Sequence, residues 1–231
     1  MTVDIGIIGA MEPEVEAIIA ALDDRASETV SGIAFHTGKI GDKTVAIAKC
    51  GIGKVFAAIC AEVMILKYSP GLLVNTGVGG ALAAGLTTGD IVIADTLCQH
   101  DMDTSPIGDP KGLVSGINMI YFEADKRAGE ILLDSAKSLG LRATRGRIAT
   151  GDKFIASSED KDRLIADFAA DACEMEGCAI AQTAFVNGTP FAVVRAISDS
   201  ADGEATMDYP TFLGIAARNS TNLTLALIEK W

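Results

Sequence analysis

The sequence predicts one α/β domain over residues 1–231, built around a mixed and largely buried sheet. Short apolar runs rich in β-branched residues alternate with segments of helical spacing for most of its length. The 231 residues, 49% of them hydrophobic, suffice to bury one sizeable core. No internal repeat, low-complexity tract or linker-like stretch divides them.

VDIGIIGA, residues 3–10, reads as a first strand. A helix follows over 12–24, with Val15, Ile18, Ile19 and Leu22 at helical spacing, Pro13 near its start and acids in its first turn. Residues 32–50 read as two strands joined by the Gly41-Asp42 turn. A helix over 54–68 closes at Ser69-Pro70, and strands over 72–78 and 90–99 come next. From His100 to Glu123, two prolines, three glycines and weak periodicity predict a long loop, which in a compact domain serves function or an interface. Its apolar residues (Ile107, Leu113, Val114, Ile117, Met119, Ile120) favour the interface. A helix (125–139), a strand (142–151), helices over 158–169 and 176–187, a strand (191–198) and an amphipathic helix (209–230) complete the chain.

Charge and composition exclude several function classes. Nineteen Lys+Arg against 31 Asp+Glu give a net charge of −12 with no basic block, which argues against nucleic acid and anionic membrane as partners. Aromatics at 5% are too few for a base-stacking surface. With only His36 and His100, neither a histidine-rich metal site nor a Ser-His-Asp triad is expected. The first 16 residues lack the basic and apolar regions of a signal peptide. The longest apolar run, VFAAICAEVMILKY, is interrupted by Glu62 and falls short of a membrane span. Five scattered cysteines without C-x-x-C read as buried thiols in a reducing, cytoplasmic setting.

Chemistry is signalled by polar residues at the ends of apolar strands. In FAVVRAISD, alternation puts Val193, Arg195, Ile197 and Asp199 on one face. An arginine in such a run must be paired or functional, and Asp199 sits where open α/β sheets bind ligands. In ACEMEGCAIAQ, Glu174 and Glu176 flank Met175, and a carboxylate there suits vicinal sugar hydroxyls as well as it suits a helix N-terminus. Glu12 carries the same ambiguity at the end of the first strand. The glycine corners GIIGA, GIGK and NTGVGGALAAG match neither a Walker A loop nor a dinucleotide fingerprint. Carboxylates at separate strand ends, with no nucleophile paired to a base, point to acid/base chemistry with water, as in glycoside cleavage.

GIIGAMEPEV, KCGIGKVFAA, NTGVGGAL, GDIVIAD, HDMD, GD-x-F-I, EMEG-x-AIAQ and VVRAISD, in order from about residue 3 to 225, resemble the 5′-methylthioadenosine/S-adenosylhomocysteine nucleosidases of the nucleoside phosphorylase superfamily. The resemblance implies a three-layer α/β/α fold with a central mixed twisted sheet. The sequence offers no His/Cys ligand cluster beside its acid/base residues, so no cofactor and no metal are expected. It implies hydrolysis of the N-glycosidic bond of a 5′-thioadenosine, releasing adenine and a 5-thioribose. Asp199 then matches the acid to purine N7, Glu12 the activator of water, and Arg195 a residue beside both. Glu176 matches the acceptor of the ribose hydroxyls, with Met175 packed on the sugar. Phe154 matches the ring stacked on adenine, and Ile155 the backbone that reads its edge. Met11, Ile52 and Tyr209 match the thioribose side, while Val78, Glu174 and Ser198 complete the substrate-binding set. The implied assembly is a homodimer in which the 100–123 loop, through Ile107, reaches the partner's 5′-alkylthio pocket. Two positions depart from the family pattern: Val78 replaces a common serine, and Asp109 a common bulky aromatic.

Two rivals share the fold. A phosphorylase would need basic or hydroxyl groups at the first glycine corner, where this chain has Met11-Glu12-Pro13-Glu14. A non-enzymatic nucleoside-binding protein would have no need of Glu12 and Asp199 together.

Overall fold

The computed structural model describes residues 2–202 and 205–231. Its strands are β1 (Ile5–Gly9), β2 (Asp23–Val30), β3 (Ile33–Ile40), β4 (Lys43–Lys49), β5 (Leu72–Ala81), β6 (Ile91–Gln99), β7 (Phe122–Glu123), β8 (Ala143–Thr150), β9 (Ala172–Glu174) and β10 (Phe191–Asp199). Its helices are α1 (Glu12–Ala20), α2 (Lys54–Tyr68), α3 (Lys126–Ser138), α4 (Ser158–Phe168), α5 (Gly177–Val186) and α6 (Ala205–Lys230).

The strands form one mixed sheet in the order β10-β6-β8-β9-β5-β1-β4-β3-β2, with β7 on β6. Because β10 also pairs with β5, five strands close on themselves and β1, β4, β3 and β2 extend outward from β5. Strands β1, β5 and β10 run parallel, so their carboxyl ends open on the same side. Helices α1, α3 and α6 bury Val15, Ile18, Leu132, Ala136, Leu223 and Leu227 against one face of the sheet. Helices α2 and α5 bury Cys60, Met64, Cys178 and Ile180 against the other. The result is the α/β/α layering that the family resemblance implied.

Three elements differ from the sequence expectation. Helix α1 ends at Ala20, and residues 23–30 leave as β2, the outer strand of a hairpin with β3. Nearly every residue of β2 is exposed, so it carries no apolar alternation to read. Strand β9 is three residues long, too short to register as periodicity. The 100–123 segment is only partly open: Val114 is buried, Ile117 and Met119 pack on one core, and Ile120 packs on another. Ile107, in a single 3₁₀ turn over Ser105–Ile107, is the one that stays out, 82% exposed. Among the described residues, no helix is long and apolar enough to cross a membrane.

Candidate active site

A cavity of about 290 Å³ opens where β1, β5, β9 and β10 end. Strand β5 contributes Val78, Gly79 and Gly80, and the turn after β9 contributes Met175 and Glu176. Strand β10 contributes Ser198 and Asp199, and the β1–α1 corner contributes Ala10, Met11 and Glu14.

The first corner corrects the sequence reading. Glu12 points to solvent, with its side chain 58% exposed and ion-paired to Lys49 at 2.5 Å. Glu14 lines the cavity instead, buried on the face of α1 that carries Val15 and Ile18. Two residues along a helix are about 200° of rotation, so the two acids face nearly opposite ways. Glu14 Oε2 accepts the Ala10 and Met11 N–H groups at 2.7 and 2.9 Å, and Oε1 accepts the Val78 N–H at 3.2 Å. Burial pushes its pKa up, against the pull of the Arg195 charge and these three donors.

Asp199 is buried at the end of β10, its Oδ2 accepting from Ser198 Oγ at 2.8 Å and its Oδ1 from the Ala201 N–H at 2.9 Å. The β10–β5 register shifts between Ile197 and Asp199, so the simple alternation expected for this strand breaks there. The irregularity lets two consecutive residues, Ser198 and Asp199, both border the cavity.

Glu176 lies across the cavity, its Oε1 accepting the Gly53 N–H at 2.8 Å just before α2. Burial and then the charge of Glu174 raise its pKa from an ordinary 4.5 to about 7, opposed by Arg195 and the Gly53 donor. Arg195 borders this group from beneath and does not line the cavity. It is 1% exposed, ion-paired to Glu174 and hydrogen-bonded to Asn75 and to the Val194 carbonyl. Burial disfavours its charge, but Glu174, Glu176 and Glu14 together raise its pKa. Glu174 borders the cavity, but its carboxylate is committed to protein donors rather than directed at a ligand.

The mouth is apolar. Phe154 and Tyr209 meet edge to face with centroids 5.6 Å apart, and the Tyr209 hydroxyl reaches Met11 Sδ at 3.1 Å. Ile52 and Ile155 also line the cavity, whereas Ile107 does not. Among the described lining residues, Lys153 is the cation, and its Nζ is held by Asp160 at 2.7 Å. Sequence reasoning missed Glu14, Cys173, Ala10 and Lys153 in this wall. The helical phase shared by Glu14, Val15 and Ile18 was the available signal for the first, and Cys173 had none.

Residues 4–229 match the phosphorylase superfamily. A 5′-methylthioadenosine/S-adenosylhomocysteine nucleosidase of Haemophilus influenzae (strain PittGG) is 40% identical over 227 residues, covering 98% of this chain and 99% of that protein. Among solved structures, the nucleosidase of that name from Neisseria meningitidis, in complex with methylthio-immucillin-A, superposes with a TM-score of 0.95 at 33% identity, covering 98% of this chain and 99% of that one. The futalosine hydrolase of Helicobacter pylori strain 26695 superposes with a TM-score of 0.94 at 32% identity, covering 98% and 97%. At such identity and coverage, this chain belongs to the phosphorylase superfamily and, within it, to the 5′-methylthioadenosine/S-adenosylhomocysteine nucleosidase family.

Proposed function

We propose that residues 1–231 act as one domain that hydrolyses the N-glycosidic bond of 5′-methylthioadenosine and S-adenosylhomocysteine. The carrying observation is that three buried carboxylates from separate elements, Glu14, Glu176 and Asp199, border one cavity whose lining cation is already paired. A dianionic phosphate would meet carboxylates there, whereas water and a cation-like sugar suit them. As the bond to C1′ breaks, its electron pair leaves with N9 and Asp199 gives a proton to N7. The oxygen of water bonds to C1′, and Glu14 takes the proton that this water loses. The proton reaches Asp199 from solvent as N7 becomes basic along the reaction, and Glu14 afterwards returns to solvent the one it took from water, so both carboxyls are reset for the next turnover. Ionised Glu176 accepts the two ribose hydroxyls, Met175 packs on the sugar, and the Phe154 ring stacks on adenine. Ile155 reads the purine edge, and Ser198 orients Asp199. Met11, Ile52, Val78 and Tyr209 enclose the thioribose, and Arg195 acts on the carboxylates through its charge.

We further infer a homodimer in the cytoplasm. Support for the dimer comes from exposed apolar side chains on α2 (Val55, Phe56, Leu66) and α5 (Phe185, Val186), and from the exposed Ile107 of the 100–123 segment. Support for the compartment comes from five cysteines buried as free thiols. The likeness to a futalosine hydrolase favours one second reading, a futalosine-type substrate with the same bond cleaved. Base release from a panel of 5′-methylthioadenosine, S-adenosylhomocysteine, 5′-deoxyadenosine and futalosine separates the two. Adenine from the first two substrates is the expected result. Cleavage of futalosine with neither thioadenosine turned over would overturn the assignment.

A further inference from the structure

Four protein donors converge on the carboxylate of Glu174, whose side chain is 2% exposed. Oε2 receives the Glu176 N–H at 3.1 Å, the Gly177 N–H at 2.7 Å and the Arg195 guanidinium. Oε1 receives the Thr150 hydroxyl, whose oxygen in turn accepts the Cys178 N–H at 2.8 Å at the start of α5. A carboxylate has about four acceptor sites, so little capacity remains for a ligand. Two of the donors belong to the backbone that carries Glu176 itself and to the glycine after it.

We propose that Glu174 is a positioning residue: it clamps the 176–177 backbone and anchors Arg195 beneath the cavity, and thereby sets the direction and charge of Glu176 without touching substrate. This rests on the nucleosidase reading only for its kinetic consequence. The geometry explains why two acids two residues apart take different parts. Glu174, at the end of β9, turns inward to the arginine of β10, while Glu176 turns to the cavity and to the Gly53 N–H. The charged and titratable groups around Glu176 are Glu174 on β9, Arg195 on β10, Glu14 on α1, Cys50 ahead of α2 and Tyr209 on α6. Of these, Glu174 is the anion that both opposes ionisation of Glu176 and restrains Arg195.

The test is a carbon-13 NMR titration of glutamate side-chain carboxyls in the unliganded protein, with the Glu176 signal identified through Glu176→Gln. In Glu174→Gln, loss of the neighbouring anion leaves Arg195 free to favour ionised Glu176. The Glu176 midpoint then falls by about one unit, a tenfold change in proton affinity. Glu174→Asp keeps the charge but loses reach. Its midpoint stays near that of the wild type, while KM for 5′-methylthioadenosine rises at least about fivefold with kcat little changed. Should Glu174→Gln fail to fold, Thr150→Val, which loosens the same carboxylate, moves the midpoint and Thr150→Ser restores it. A purely structural Glu174 would lower Tm in the folded variants and leave the Glu176 midpoint where it was, and that result overturns the proposal. Because the titration uses no substrate, a wild type inactive on thioadenosines would fail the nucleosidase reading alone.

Discussion

Two acids at one corner make the sharpest contrast at the scale of single residues. Glu12 is a solvated partner of Lys49, and an exposed pair of this kind contributes at most about 1 kcal/mol. Glu12→Ala should therefore keep kcat on 5′-methylthioadenosine within about twofold and shift the unfolding midpoint little. Glu14→Gln should cost about 10²–10⁴ in kcat, the usual contribution of a general base, while a substrate analogue still binds. The reverse pattern in steady-state kinetics would return the water-activating role to Glu12. Glu176 supplies a pH signature. Its pKa is raised in the folded state, from 4.5 to about 7, so its stability contribution is full below 4.5 and is lost as pH rises through about 7. Ligand binding runs the other way, since two ribose hydroxyls need the ionised acceptor. Affinity should rise with pH through about 7, with a proton released on binding at pH 6. Calorimetry in buffers of different ionisation enthalpy measures that proton, and Glu176→Gln should abolish its release.

At the scale of elements, the site depends on how closely β5 lets other groups approach. A Cβ on Gly77 would stand 2.7 Å from Glu14 Oε1, and one on Gly80 would stand 2.9 Å from both Asp199 Oδ1 and the Ala201 Cβ. Gly77→Ala should displace a carboxylate pinned by three N–H groups, lowering kcat about tenfold or more and costing about 1–3 kcal/mol of stability. Unchanged turnover in that variant would mean that Glu14 can move without consequence. The glycines of NTGVGG were legible in the sequence as places of close approach, but what approaches them depends on pairing between strands far apart in the chain. Likewise, α2 and β4 were readable from apolar spacing and the Gly41-Asp42 turn. Polar β2 and three-residue β9 were not, since neither carries a period. Asp199 and Glu176 stood out because an acid at the end of an apolar run needs a reason. Glu14 was overlooked because both acids of the first turn suit a helix start, and only the phase of α1 against the sheet separates them.

At the scale of the whole molecule, Ile107 and the apolar faces of α2 and α5 predict a two-fold dimer with shared sites. Sedimentation should give twice the chain mass at micromolar concentration. Ile107→Asp should weaken binding of an apolar 5′ tail by about 1–3 kcal/mol, and mixing it with Asp199→Asn chains should restore part of the activity, because one site of the mixed dimer carries both lesions and the other neither. With subunit exchange verified, activity no higher than that of the parents would mean independent sites. The broader question for a member of the phosphorylase superfamily is which nucleophile enters the cavity. Paired Lys153, three buried carboxylates and an apolar mouth favour water. The direct measurement is adenine release from 5′-methylthioadenosine with the sugar product identified, in phosphate-free buffer and again at millimolar phosphate. Equal rates and free 5-methylthioribose in both are the predicted result; turnover that requires phosphate and yields a sugar phosphate would contradict it.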